Sequence, residues 1–233
     1  IDDDSICDYI FSENIFLKNK LIPKRKNHSF VFLLDSSGSM KEHWNKTINM
    51  LVTIIFALNK MNIPCVVYTF GVYNSLLKVF ETDKVDMKKY EKLLYVNPTN
   101  GTPLFRSLIT INKEISKVYK KYSSDIVNFI TVTDGGDTYG IEYGSFFDRK
   151  TSIFYEIEND DEKNHDLLIK NIKDCYPKTS VSGFFLDNQT KNKIEKVSHY
   201  KHYNSFYKLN INNQYFENLF YKKILDDLLI NVV

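Results

Sequence analysis

Five oxygen-bearing side chains fall at three places where one kind of local pattern gives way to another. Asp35, Ser37 and Ser39 lie in FVFLLDSSGSM, where an apolar run stops on a carboxylate. Thr102 lies in Gly101-Thr102-Pro103-Leu104, just ahead of a helical pattern. Asp134 lies in IVNFITVTDGGD, where a second apolar run stops on a carboxylate. The inventory is two carboxylates and three hydroxyls, with no thiolate and no imidazole. Such a set suits a hard divalent cation, Mg²⁺ or Mn²⁺, rather than zinc or copper. So few formal charges would leave the ion electrophilic, and a carboxylate from outside the chain would complete its shell.

The elements that must position these groups can be read from hydrophobic periodicity. Ser29–Leu34, Ile63–Phe70 and Ile126–Thr133 are near-continuous apolar runs, as expected of strands covered on both faces. Ser180–Leu186 and Phe206–Leu209 read as further strands, and Ser75–Phe80 as a shorter one at an edge. Glu42–Lys60 repeats Trp44, Ile48, Leu51, Ile55 and Leu58 at helical spacing. Pro103–Tyr122 reads as a helix with Pro103 in its first turn, where a missing N–H is harmless. Val85–Leu94, Asp160–Cys175, Gln189–His199 and Gln214–Ile230 complete the expected helices, and Phe147–Ile157 reads as a hairpin or extended insert. Strands alternating with helices predict an α/β fold: a doubly wound, mainly parallel, six-stranded sheet with helices on both faces and a short antiparallel edge strand. In such sheets ligands bind beyond the carboxyl ends of the strands, where the winding reverses, and Asp35 and Asp134 both fall at strand ends. Residues 1–28, with IDDDS at one end and the basic PKRKN turn at the other, read as an extension ahead of a domain spanning 29–233, with an insert at about 137–160.

The order DxSxS, then a distant Thr, then a distant Asp resembles the metal-ion-dependent adhesion site of von Willebrand factor type A (VWA) domains. The resemblance runs from about Ser29 to the carboxyl end and implies a Rossmann-like VWA fold. It implies that Ser37, Ser39 and Thr102 contact the metal directly and that Asp35 and Asp134 act largely through water. It further implies a non-enzymic protein–protein interaction module whose partner offers an Asp or Glu, with contact coupled to movement of the last helix. LLDSSGSM, NIPCVVYTFG, FFDRKTSIFYEI and SVSGFFL are similar to the intracellular type A domains of cobalt-chelatase-like proteins, including versions from large tailed phages. That likeness implies a MoxR-type AAA+ ATPase as a partner. Two other readings stand beside this one. The domain could be a structural component of a virion or other assembly, its rim closed by Asp137 or Glu142, or a metal-assisted hydrolase.

Each residue also has a plainer role open to it. Asp35, Ser37 and Ser39 would make a helix N-cap, Thr102 would cap the helix before Pro103, and Asp134 would be a turn residue. None of these explains the set. Ser36 is expected to point away from the ion, Gly38 to serve backbone geometry, and Trp44 to pack; His43 follows the loop, and no role in the site is assigned to it. His199 and His202 give an HxxH spacing without the carboxylate a zinc site needs. No phosphate-binding GxxxxGK[ST] loop, GxSxG elbow or GxGxxG turn is present.

The 233 residues are 43% hydrophobic and 26% charged, which supports a packed core. Lys+Arg of 31 against Asp+Glu of 29 gives no basic footprint for nucleic acid and no cationic face for a membrane. Cys7, Cys65 and Cys175 are widely spaced and odd in number, which argues against a disulfide framework and for a reducing, cytoplasmic setting, a virion being the alternative.

Overall fold

The apolar run ahead of Asp35 becomes the strand around which everything else is laid. In chain order the elements are β1 (His28–Asp35), α1 (Trp44–Lys60), β2 (Cys65–Gly71), β3 (Asn74–Glu81), α2 (Leu104–Tyr122) and β4 (Ile126–Thr133). Then follow β5 (Gly144–Asp148), β6 (Ile153–Ile157), α3 (Asp161–Cys175), β7 (Thr179–Asp187), β8 (Glu195–Lys196) and β9 (Ser205–Asn210). A single 3-10 turn, Ser39–Glu42, links β1 to α1. The structure, a computed structural model, describes residues 26–71, 74–82, 96–98, 101–134, 144–148, 153–157, 161–187, 195–196 and 200–210, with positions 218, 221, 222 and 225.

The main sheet runs β3-β2-β1-β4-β7-β9-β8. β2, β1, β4, β7 and β9 are parallel, and β3 and β8 pair antiparallel at the two edges. From β1 the chain winds outward through β2 to β3 and then crosses to the other side of β1 to begin β4. The winding therefore reverses between β1 and β4, which opens a crevice beyond their carboxyl ends.

Alternation along β1 divides the core. Phe30, Phe32 and Leu34 face the layer that holds Ile48, Leu51 and Ile55 of α1. Val31 and Leu33 face the layer that holds Leu108, Ile111 and Ile115 of α2 and Ile169 and Ile172 of α3. A strand apolar at both parities can be covered on both faces, and here it is. The expected doubly wound architecture is thus present, with the two-residue β8 added to the six strands read from periodicity.

Three local expectations change or fall outside the described residues. Glu195–Lys196, read as part of a helix over Gln189–His199, instead pairs with Tyr207 and Lys208 of β9. The open edge of β9 offers unpaired backbone N–H and C=O groups, and these outweigh a helical side-chain pattern. Pro103 sits at the N-cap of α2 with φ −79° and ψ 54°, one residue earlier than the helical position expected of it. The Val85–Leu94 helix and residues 1–25 lie outside the described residues, as do most of Gln214–Ile230. Asn218, Tyr221, Lys222 and Leu225 are helical, and Tyr221 packs on the α1 layer. Phe147–Ile157 does contribute to a hairpin, in which β5 and β6 form a separate two-stranded sheet. Among the described residues no helix is long and apolar enough to cross a membrane.

Candidate metal centre

Strand parity carries Asp35 to the crevice. Val31, Leu33 and Asp35 share the α2–α3 side of β1, and Leu34 lies opposite Val132 of β4. One step further, Asp35 comes beside Thr133, and the next residue, Asp134, leaves the strand. Asp35 is fully buried, with 0% exposure. Its Oδ2 accepts a hydrogen bond of 2.6 Å from Thr133 Oγ1, and its Oδ1 accepts one of 2.8 Å from the Ser37 backbone N–H.

From Ser37 the chain of contacts continues across the rim. Ser37 Oγ and Ser39 Oγ are 3.0 Å apart, and Ser39 Oγ donates to Asp134 Oδ1 at 2.9 Å. Asp35, Ser37, Ser39 and Asp134 are therefore joined by hydrogen bonds, although Ser39 and Asp134 are 95 positions apart in the chain. Thr102 is buried immediately ahead of α2. Because α2 leads into the amino end of β4, its own amino end points back to the carboxyl rim, and helix direction places Thr102 on that side. Gly101 has φ 87°, a conformation that favours glycine and turns the chain into Thr102.

Burial shapes the electrostatics. The Asp35 carboxyl is pushed up from 3.8 to about 6 by loss of water. Hydrogen bonds from Thr133 and Ser37 pull it partly back, and the charge on Asp134 adds to the rise. Asp134 is also raised by burial, against the hydrogen bond from Ser39 and the neighbouring His43. What faces Asp35 is a hydroxyl, a backbone N–H and a second carboxylate, an arrangement that a bound cation would relieve.

The donor set fits a hard divalent cation. Among the described residues no three His, Cys, Asp or Glu side chains converge, so there is no set of the kind zinc takes. The two aspartates with the hydroxyls of Ser37, Ser39 and Thr102 supply oxygen alone, which suits Mg²⁺ or Mn²⁺.

Neighbouring residues fall into place around this set. Ser36 turns away: its Oγ and its backbone N–H both donate to Phe70 O, at 2.7 Å and 2.8 Å. Gly38 has φ −63° and ψ −31°, ordinary helical values, so its backbone there does not call for glycine. His43 is buried at the N-cap of α1, where its carbonyl accepts from Thr47 Oγ1 at 3.0 Å. Trp44 packs in the α1 layer, as expected. His202 lies 3.6 Å from Asp166 and takes no part in the rim, while His199, Asp137 and Glu142 fall outside the described residues. Reading residue types alone missed Thr133, although the signal was present. Thr133 stands two positions after Thr131 on the parity that faces Asp35.

No family model matches the sequence. Intermembrane lipid transfer protein vps13E of Dictyostelium discoideum is 28% identical over 175 residues, which is 64% of this chain but 4% of that protein. Among solved structures, the pilus adhesin SpaC of Lactobacillus rhamnosus GG superposes with a TM-score of 0.63 at 13% identity, over 88% of this chain and 30% of that one. The SpRpn10 VWA domain gives 0.55 at 15% identity, over 84% and 94%. The vWF domain of the type V pili tip protein Mfa5 of Porphyromonas gingivalis gives 0.58 at 8% identity, over 91% and 98%. Identities this low speak for architecture, and they agree with the strand order and the reversal between β1 and β4. The chain has the fold of a von Willebrand factor type A domain.

Proposed function

We propose that this domain is a divalent-cation-dependent interaction module that binds an Asp or Glu of a partner protein at the crevice between β1 and β4. The observation that carries the reading is the hydrogen-bonded chain from Asp35 through Ser37 and Ser39 to Asp134. It gathers oxygen ligands from two remote segments at the place where such sheets bind ligands. Asp35, Ser37, Ser39, Thr102 and Asp134 would hold Mg²⁺ or Mn²⁺. Bound there, the cation would supply the positive charge that a partner's carboxylate requires. The domain's own part would be to present Asp35 and Asp134 at the carboxyl ends of β1 and β4, with Ser37 and Ser39 from the turn after β1 and Thr102 from the segment ahead of α2.

A binding role rather than a catalytic one is in keeping with neighbours that include an adhesin and a pilus tip protein. The match to a short part of vps13E is in keeping with a module that also occurs within a much longer chain. Cys65 and Cys175 are free thiols, which favours a reducing compartment. A MoxR-type AAA+ ATPase is the partner that the sequence likeness suggests.

The test is calorimetric, with Mg²⁺ itself as the probe. Wild type is expected to bind saturably, Asp35→Ala to bind nothing, and Ser37→Ala with Thr102→Ala to bind more weakly. Absence of Mg²⁺ and Mn²⁺ binding by the folded wild type would overturn the reading.

A further inference from the structure

We infer that Thr133 is a positioning residue of this site: its hydroxyl holds the Asp35 carboxylate in the one orientation a divalent cation can use. The inference rests on the cation-site reading above and adds a sixth residue, one that touches no metal in it.

Three observations lead to Thr133. The first is register, which places Thr133 beside Asp35 on the α2–α3 side of the sheet, one step beyond the Leu34–Val132 pair. The second is distance. Thr133 Oγ1 to Asp35 Oδ2 is 2.6 Å, within the short range of a hydroxyl donating to a carboxylate. The third is division of labour. Oδ1 is held by the Ser37 N–H, from the turn that follows β1, whereas Oδ2 is held from β4, a central strand paired on both sides.

The chemistry follows from lone-pair accounting. A carboxylate has about four acceptor directions, two on each oxygen. At least one on each oxygen is taken by a donor of the protein, the Ser37 N–H on Oδ1 and the Thr133 hydroxyl on Oδ2, and what remains is open to a cation or the waters around it. Without the Thr133 donor the side chain could rotate about its Cβ–Cγ bond, and the orientation would have to be restored on binding. Outer partners of metal ligands commonly change affinity by about tenfold to a hundredfold when removed. Threonine is well suited to this place. Branching at Cβ restricts its rotamers in a strand, so its hydroxyl is aimed before any ligand arrives. Thr133 is also 2% exposed, so water does not readily substitute for it.

The experiment compares wild type, Thr133→Val and Thr133→Ser in the full chain. Mg²⁺ and Mn²⁺ affinities are measured by calorimetry, and thermal unfolding is measured in EDTA. Valine keeps the shape and the branching and removes the donor, whereas serine keeps the donor and removes the methyl. Thr133→Val is expected to weaken Mg²⁺ binding by about tenfold or more and, with a donor to a buried carboxylate removed, to melt a few degrees lower in EDTA, whereas Thr133→Ser is expected to remain within about threefold of wild type and to melt in EDTA near the wild-type temperature. Equal affinity for Thr133→Val and wild type would overturn the inference while leaving the cation site standing. Weak binding by Thr133→Ser together with a lowered melting temperature in EDTA would also overturn it, because packing rather than the hydroxyl would then be at work. A wild type that binds neither cation would overturn the cation-site reading and this inference with it.

Discussion

A charge buried for the sake of a ligand should destabilise the protein that waits for it, and Asp35→Asn measures by how much. The substitution keeps the size of the side chain. Asn Oδ1 can still accept from the Ser37 N–H, and the Thr133 hydroxyl can turn to accept from Nδ2. What is lost is the charge. Burial lifts the Asp35 carboxyl from 3.8 to about 6, and at ~1.36 kcal/mol for each pH unit that rise amounts to about 3 kcal/mol. The native state holds this proton more tightly than the unfolded chain does. The contribution of Asp35 to stability is therefore fully present below about pH 4, declines as pH rises through about 6, and is gone at neutral pH. An amide also loses water on burial, so the net gain in Asp35→Asn is about 1–3 kcal/mol near neutral pH. At ~2–4 °C for each kcal/mol in a chain of this size, the variant melts several degrees higher in EDTA. Saturating Mg²⁺ reverses the ranking. Wild type gains about 4.1 kcal/mol when free cation is a thousandfold above Kd, more than the advantage of the variant, and the variant gains nothing. The assay is thermal unfolding across pH with EDTA or Mg²⁺. A variant less stable than wild type in EDTA at neutral pH, or a difference that does not vary with pH, would refute the reasoning.

Two predictions concern the scaffold. A Cβ on Gly183 would sit 2.3 Å and 2.6 Å from Phe206 ring atoms and 2.8 Å from the Tyr203 ring. Both rings are buried and packed on each other, so Gly183→Ala should destabilise by about 2–3 kcal/mol in urea unfolding, and a neutral result would show that the two rings can move. Ser123 caps the C-terminus of α2 with φ 49° and ψ 43°, a left-handed conformation that disfavours a side chain. Ser123→Gly should stabilise by about 0.5–1 kcal/mol, which a rise in melting temperature would register and a fall would contradict.

Much of the fold could be read before any coordinates, because two periods leave plain marks. Near-continuous apolar runs such as Phe30–Leu34 and Val127–Val132 name strands covered on both faces, and the recurrence of Ile48, Leu51, Ile55 and Leu58 names the helix laid against one face. The placement of Asp35 at a strand end was equally visible, since a carboxylate stops an apolar run only where the strand reaches the rim. The Gln189–His199 pattern misled because a helical spacing carries no information about a sheet edge waiting for a partner. Pro103 fell one residue from its expected position because helix starts are decided by local backbone geometry, which residue preference only biases.

The chain's own order of residues determined which groups are available: two aspartates and three hydroxyls, all oxygen, each beside an element boundary. It determined the parity of β1, and with it the side of the sheet to which Asp35 belongs. Only the tertiary structure decided that Ser39 meets Asp134 across 95 positions and that Thr133 holds Oδ2 of Asp35. It alone decided how far the Asp35 carboxyl is lifted toward 6. The physical reason is that residue identity and alternation are local, whereas strand order, register and burial arise when distant segments pack. The Asp35 carboxylate takes its hydrogen bonds and its energy from that packing.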